Sequence, residues 1–280
     1  RRNMLALGAS ECETFSFISP KYFDKINLPE GSALRNTVVI SNPLGEDTSV
    51  MRTSIIPSMC EVLVRNINYR NKAATLFELG NEYIPVEGEV LPEEPVRLCV
   101  GMYDSEDDEK FFELKGMLTE LLDKAGLEDY EIARPDENTV FAEAVSFHPG
   151  RVAVIKTAEG KEIGIFGELH TEESENYKVK ERLYIAKLLV PELMEACVEV
   201  KTYKPLPKFP AMTRDISLVC AEELAVGELE AAIAEAVGRY LEKVELFDVY
   251  RGEQIETGKK SVAFNIVMRN YEETDRKSVV

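Results

Sequence analysis

The chain has 280 residues, 45% of them hydrophobic and 30% charged, with a formal net charge of −18 at pH 7. Such content supports a substantial core in one large or two ordinary domains, and no run approaches the roughly 18 apolar residues that a membrane-spanning helix needs. Residues 201–280 hold 12 Lys plus Arg against 14 Asp plus Glu, so all but −2 of the charge falls on residues 1–200; phosphate affinity needs bases, which places any nucleic-acid contact in the C-terminal part and leaves the acidic part to meet protein.

In chain order, residues 14–18 read as a strand, and Ser19-Pro20 as an N-cap followed by proline, opening a short helix to about Ile26. A strand is predicted at 38–41. A helix follows Pro57, with Met59, Val62, Leu63 and Ile67 at helical spacing, and strand 75–83 leads to a solvated loop at 86–95 containing Gly88, Pro92 and Pro95. Val96, Leu98, Val100 and Met102 alternate as in an antiparallel strand with one buried face. The helix from about 112 to 125 carries Met117, Leu118, Leu121 and Leu122 on one face and stops at Gly126. Strands at 151–157, 162–168 and 183–189 complete an α+β domain with a mixed, mainly antiparallel sheet.

Three prolines in the six residues Pro205 to Pro210 forbid a helix and mark a stiff connector, which divides the chain into domains 1–202 and 203–280. The second reads strand (215–220), helix (224–242), strand (244–250), strand (261–268). This is most of a split βαβ, ferredoxin-like unit, with a second helix and fourth strand expected beyond it. Its predicted helix turns Val226, Leu229, Ile233, Val237 and Leu241 to the sheet and Glu228, Glu230, Glu235 and Glu242 outward. The bases Lys208, Arg214, Arg251, Lys259, Lys260 and Arg269 fall on strands and turns, so the opposite sheet face or its rim is the candidate RNA surface, against ordinary surface charge as the alternative.

Cys12, Cys60, Cys99, Cys197 and Cys220 are scattered, odd in number and free of any Cys-x-x-Cys pair, which predicts buried thiols in a reducing cytoplasm. His148 and His170 have no cysteine near enough for a metal geometry, Ser54 and Ser58 have no base nearby in sequence, and Gly160, Gly164 and Gly167 form no dinucleotide turn. No catalytic or metal-binding residue is therefore assigned. The start Arg1-Arg2-Asn3 reads as the interior of a longer polypeptide.

The segment Asn42-Pro-Leu-Gly-Glu-Asp-Thr-Ser-Val-Met-Arg52-Thr-Ser-Ile-Ile-Pro57 resembles a signature of the β subunit of bacterial phenylalanyl-tRNA synthetase, in the part that is similar to a class II synthetase core. Leu76-Phe-Glu-Leu-Gly80, Phe111-Phe-Glu-Leu-Lys-Gly116, Phe147-His-Pro-Gly-Arg151 and Gly164-Ile-Phe-Gly-Glu-Leu-His170 follow in that family's order. Past the connector, Lys208-Phe-Pro, Arg214-Asp-Ile-Ser-Leu and Gly258-Lys-Lys-Ser-Val resemble its ferredoxin-like anticodon-binding domain.

The resemblance implies an inactive synthetase-like core followed by an incomplete tRNA-binding domain, in a heterotetramer of two α and two β chains. Such an assembly joins phenylalanine to tRNA(Phe) with ATP and magnesium; no cofactor is expected in this chain and no membrane contact. An active core needs arginines on the ATP α- and γ-phosphates, but residues 77–83 offer a glutamate and no arginine, and residues 190–196 neither glycine nor arginine. Arg52 is read as pairing within the fold or at the α-subunit interface, with Pro57 beside it and the Pro57 and Phe112 helices as contact elements. Two rivals stand: an autonomous class II amino-acid-activating enzyme, and a structural scaffold without RNA contact.

Overall fold

The computed structural model describes residues 1–107, 109–198, 203, 205–252 and 254–271. The chain divides into two compact units, Arg1–Lys201 and Thr202–Val280.

The first unit opens with helix α1 (Arg2–Ala6), strands β1 (Ser10–Glu11) and β2 (Phe17–Ile18), and the one-turn helix α2 (Tyr22–Lys25). Ser19 starts that turn, since its Oγ accepts the N–H of Lys21 at 3.3 Å and its carbonyl that of Tyr22 at 3.0 Å. Strand β3 (Val50–Met51) leads into α3 (Ile56–Asn68), whose first turn carries Pro57, where the missing N–H costs no helical hydrogen bond. Strands β4 (Ala73–Asn81) and β5 (Val96–Asp104), helix α4 (Phe111–Ala125) and strands β6 (Tyr130–Ala133), β7 (Phe147–Thr157) and β8 (Glu162–Leu169) follow. Helix α5 (Thr171–Asn176), strand β9 (Tyr184–Leu189) and helix α6 (Val190–Ala196) complete the unit.

Seven strands form one sheet in the order β1-β4-β5-β9-β8-β7-β6, antiparallel throughout except for the β1–β4 pair. One core joins Met59, Cys60 and Leu63 of α3 to Cys99, Tyr103, Ile165 and Ile185 of the sheet. The other joins Leu114, Leu118 and Leu122 of α4 to Leu98, Val100, Phe166 and Leu188. Each large aliphatic side chain withdrawn from water here stabilises the fold by roughly 1.5–3 kcal/mol.

The sandwich corrects the reading of residues 96–102. Their alternation predicts one buried face, yet every residue from Arg97 to Tyr103 is buried, because α3 covers one face and α4 the other. The strand expected at 14–18 shrinks to β2, paired with β3, and residues 38–41 provide only an isolated bridge from Val39 to Val50. Strands β1, β3 and β6 are four residues or fewer, too short for a periodicity to announce them.

In the second unit, β10 (Met212–Ala221), helix α7 (Val226–Val237), β11 (Leu241–Tyr250) and β12 (Lys259–Met268) make a sheet in the order β10-β12-β11. Both outer strands run antiparallel to β12, so they are parallel to each other with α7 as their crossover, the split βαβ expected. Val262, Phe264, Ile266 and Met268 pack with Ile233 on the helix side. The helix stops at Val237, five residues before the expected Glu242, because Gly238 takes a φ of +60°, which breaks the helical path and which a side chain would resist. Leu241 and Glu242 consequently belong to β11.

Candidate functional site

Strand pairing lays Glu78, Cys99 and Lys187 side by side across β4, β5 and β9 on the α3 face of the sheet. Arg97, two residues before Cys99, shares that face. Above it the turn after β3 lowers Arg52 into the core, where the side chain is 1% exposed. Its Nε donates to the Asn81 carbonyl at 2.8 Å, Nη1 to Thr14 Oγ1 at 2.7 Å and Nη2 to Glu78 Oε1 at 2.9 Å. Thr14 in turn donates to Glu78 Oε2 at 2.7 Å, which closes the ring. Gly80 makes room for it, since a Cβ there would lie 2.2 Å from Arg52 Nη2.

A second buried knot adjoins the first. Lys187 Nζ bonds Glu143 and lies 3.2 Å from Glu82 Oε1, while Arg97 Nε donates to Glu82 Oε2 at 3.0 Å and the backbone N–H of Ile55 to Glu82 Oε1 at 3.0 Å. Burial opposes the Lys187 ammonium, but the Glu143 and Glu82 carboxylates outweigh it and hold the lysine above its ordinary pKa. Burial likewise works against the Glu143 carboxylate, and Lys187 together with the Ser54 hydroxyl brings it below the usual glutamate value.

Chemically the face is closed. Arg52, Arg97 and Lys187 each face a buried carboxylate at bonding distance, leaving no guanidinium or ammonium of this cluster open to a phosphate. Ser54 does meet a carboxylate that its sequence neighbourhood conceals, Glu143 Oε1 at 2.6 Å. That oxygen already carries Lys187, and Ser54 is wholly buried, so no substrate reaches the hydroxyl. Sequence reasoning missed Glu82, Arg97, Glu143 and Lys187; the available sign was a lone charge inside an apolar strand, as in Tyr184-Ile-Ala-Lys-Leu-Leu189.

His148 and His170 stack with ring centroids 6.2 Å apart, and the Nδ1 of each accepts a backbone N–H, from Gly150 and Glu172 respectively. Among the described residues no group of three or more His, Cys, Asp or Glu is placed to hold a metal, and no helix is long and apolar enough to cross a membrane.

The six C-terminal bases separate into two sets at opposite ends of the second unit's sheet. Arg251, Lys259 and Lys260 gather near Glu222: Arg251 Nε lies 2.8 Å from its carboxylate and Lys260 Nζ donates to its carbonyl at 2.8 Å. Lys259 pairs with Glu256 at 2.6 Å. At the other end Arg269 pairs with Glu242 and donates to the Phe209 carbonyl, with exposed Lys208 next in sequence, while exposed Arg214 stands opposite Ile266.

By register Lys260 and Arg214 lie on the helix side of the sheet, and Lys260 is buried. Of the six, only Lys259 projects from a strand on the helix-free face. That face also carries Asp215, Glu245 and Asp248 along with Lys243, and exposed Val219 and Tyr250. Exposed Phe247 sits at a bulge in β11.

The family profile described as the phenylalanyl tRNA synthetase beta chain CLM domain matches residues 1–190, and that of the ferredoxin-fold anticodon binding domain matches 207–277. The phenylalanine-tRNA ligase beta subunit of Clostridium acetobutylicum is 44% identical over 272 residues, covering 97% of this chain and 33% of the relative. That of Symbiobacterium thermophilum is 37% identical over 283 residues, covering 98% and 31%. The chain thus spans about a third of the length of these curated relatives. Among solved structures, a pyrrolysyl-tRNA synthetase from Desulfitobacterium hafniense shares the fold with a TM-score of 0.53 at 14% identity, over 69% of this chain and 64% of that one. From its CLM-domain match and the anticodon-binding fold that follows, the chain belongs to the phenylalanyl-tRNA synthetase beta chain family.

Proposed function

We propose that this chain is the non-catalytic, class II synthetase-like core and the tRNA-binding domain of a phenylalanine-tRNA ligase β subunit, working in the cytoplasm. In that reading two α and two β chains assemble, the α subunit activates phenylalanine with ATP and magnesium, and the chain contributes interface and a hold on tRNA(Phe). The observation that carries it is the filled sheet face. A triphosphate needs free cations, and Arg52, Arg97 and Lys187 are buried against Glu78, Glu82 and Glu143 instead. The residues there do not fit a nucleotide, which supports placing ATP and magnesium in the partner subunit. The acidic surface of residues 1–200, with the Pro57 and Phe112 helices, supports a protein partner for the first unit.

The test is ATP–pyrophosphate exchange by the purified chain, alone and after mixing with the α subunit. No exchange alone together with co-purification of the α subunit is expected, and exchange by the chain alone would sink the proposal. A second reading has one observation in its favour: Arg251, Lys259 and Arg269 are engaged by Glu222, Glu256 and Glu242, and Lys260 by the Glu222 carbonyl, as in a scaffold domain that docks protein. Titration of tRNA across salt separates the two readings, because an RNA contact gives a falling log affinity with log salt.

A further inference from the structure

A groove of about 480 Å³ runs beside α3; it shares Thr14 with the Arg52–Glu78 ring and no residue with the Lys187 knot. Its floor is Ser58, Glu61, Val62 and Arg65, which recur at helical spacing along α3, and its walls are Phe15, Phe17 and Tyr22 with Glu13 and Asp47 at the rim. Phe15 is 80% and Phe17 43% exposed, although apolar rings of this size are ordinarily covered. Ser58 is buried, yet its Oγ has no hydrogen-bond partner among the described residues. Three carboxylates face one guanidinium, and among the described residues neither Glu13 nor Asp47 has an ion-pair partner, while Glu61 is held by Lys25.

We propose that this groove docks a basic segment of a partner polypeptide, seating an arginine or lysine side chain among the aromatic rings with its charge toward Glu13 and Asp47. The Phe15 and Phe17 faces attract a cation, the Tyr22 ring already carrying Lys25 Nζ at 5.1 Å, and the carboxylates neutralise it, two effects that add for a cationic side chain and conflict for an anionic one. The exposed Phe15 and Phe17 rings argue for a polypeptide over a free small cation, since an apolar rim needs apolar neighbours on the occupant to cover it. The buried Ser58 hydroxyl offers an acceptor in the groove lining to a donor that enters. The inference rests on the proposed interface role only for its expectation of a protein partner.

The experiment is an NMR titration of the chain, labelled in its Phe and Tyr rings, with acetyl-Leu-Arg-Leu-amide, acetyl-Leu-Glu-Leu-amide and putrescine. No tRNA or second subunit is present, so failure here leaves the proposed function standing, and failure of that function leaves this result intact. The arginine peptide is expected to shift the Phe15, Phe17 and Tyr22 rings saturably, and the Glu13→Lys/Asp47→Lys variant to bind it about tenfold more weakly with unchanged thermal unfolding. Four results overturn the proposal: no saturable shift with the arginine peptide, equal shifts with the glutamate peptide, putrescine binding as tightly as the peptide, or undiminished binding by the variant.

Discussion

Arg52 Nη2 reaches Glu78 Oε1 at 2.9 Å by crossing over Gly80, whose missing side chain is the condition for that contact. The pair is buried, so whatever displaces the guanidinium strands a carboxylate away from water. Replacement of Gly80 by alanine is therefore predicted to cost roughly 3–5 kcal/mol, the range for breaking a buried ion pair. Gly116→Ala is the control, since nothing lies within 4 Å of a Cβ there and the site is an exposed helical position in α4, where alanine is favoured by up to about 1 kcal/mol. Urea unfolding of the first unit checks both, and equal effects would contradict the steric account.

Lys187→Met is predicted to leave Glu82 and Glu143 facing each other without their shared cation, again at roughly 3–5 kcal/mol near neutral pH. Because Glu143 sits below its ordinary value of 4.5 in the folded protein, its contribution is present above that value and is lost as pH falls through the folded pKa. Lys187, raised above its ordinary 10.5, loses its own contribution only under alkaline conditions. The deficit of Lys187→Met should thus shrink on acidification, a trend that melting curves between neutral and acid pH will reveal or refute.

Glu173 behaves oppositely. Burial pushes its carboxyl up to about 7; Oε1 accepts from Asn27 at 3.1 Å, and Oε2 lies 3.8 Å from His170 Nδ1 without a hydrogen bond. An acid raised above its unfolded value of 4.5 supports the fold below that pH and withdraws support as pH rises through about 7. Glu173→Gln keeps an oxygen for Asn27 and cannot ionise. Its melting temperature should match the parent's in acid and exceed it by a few degrees at alkaline pH. A constant offset across pH would show that ionisation is not the cause.

Within the second unit, exposed Lys208 and buried Lys260 should separate binding from stability. Lys208→Glu is expected to weaken tRNA binding and to reduce the salt slope by about 1, leaving the melting temperature alone. Lys260→Met removes the donor to the Glu222 carbonyl and should lower stability by about 1 kcal/mol with the slope unchanged. Filter binding at several salt concentrations, paired with calorimetry, checks both variants; a slope change for Lys260→Met alone would reverse the assignment.

Much of the sheet was legible because short apolar stretches, such as Ile163 to Gly167 in β8, leave few alternatives to a buried strand. The helix at Pro57 and the split βαβ were legible through proline, glycine and periodicity. The buried charges were not. Ser54 meets Glu143 across 89 positions and Lys187 meets Glu82 across 105, separations that no local pattern encodes. The second face of β5 was hidden for a related reason, since Arg97 reads as a solvent-facing residue until its partner Glu82 is known. In the second unit the six bases were visible as residue types, but their division between two ends of the sheet depends on register, which the sequence states only weakly.

Among the described strands of its unit, β12 is third in sequence and middle in space. Among the described residues β10 and β11 pair with β12 alone, so until residues 259–268 leave the ribosome these two ribbons are unpaired and α7 is uncovered. Folding during synthesis is consequently late and sudden, and a pause just upstream of Lys259 would expose more sticky edge than one anywhere after Met268.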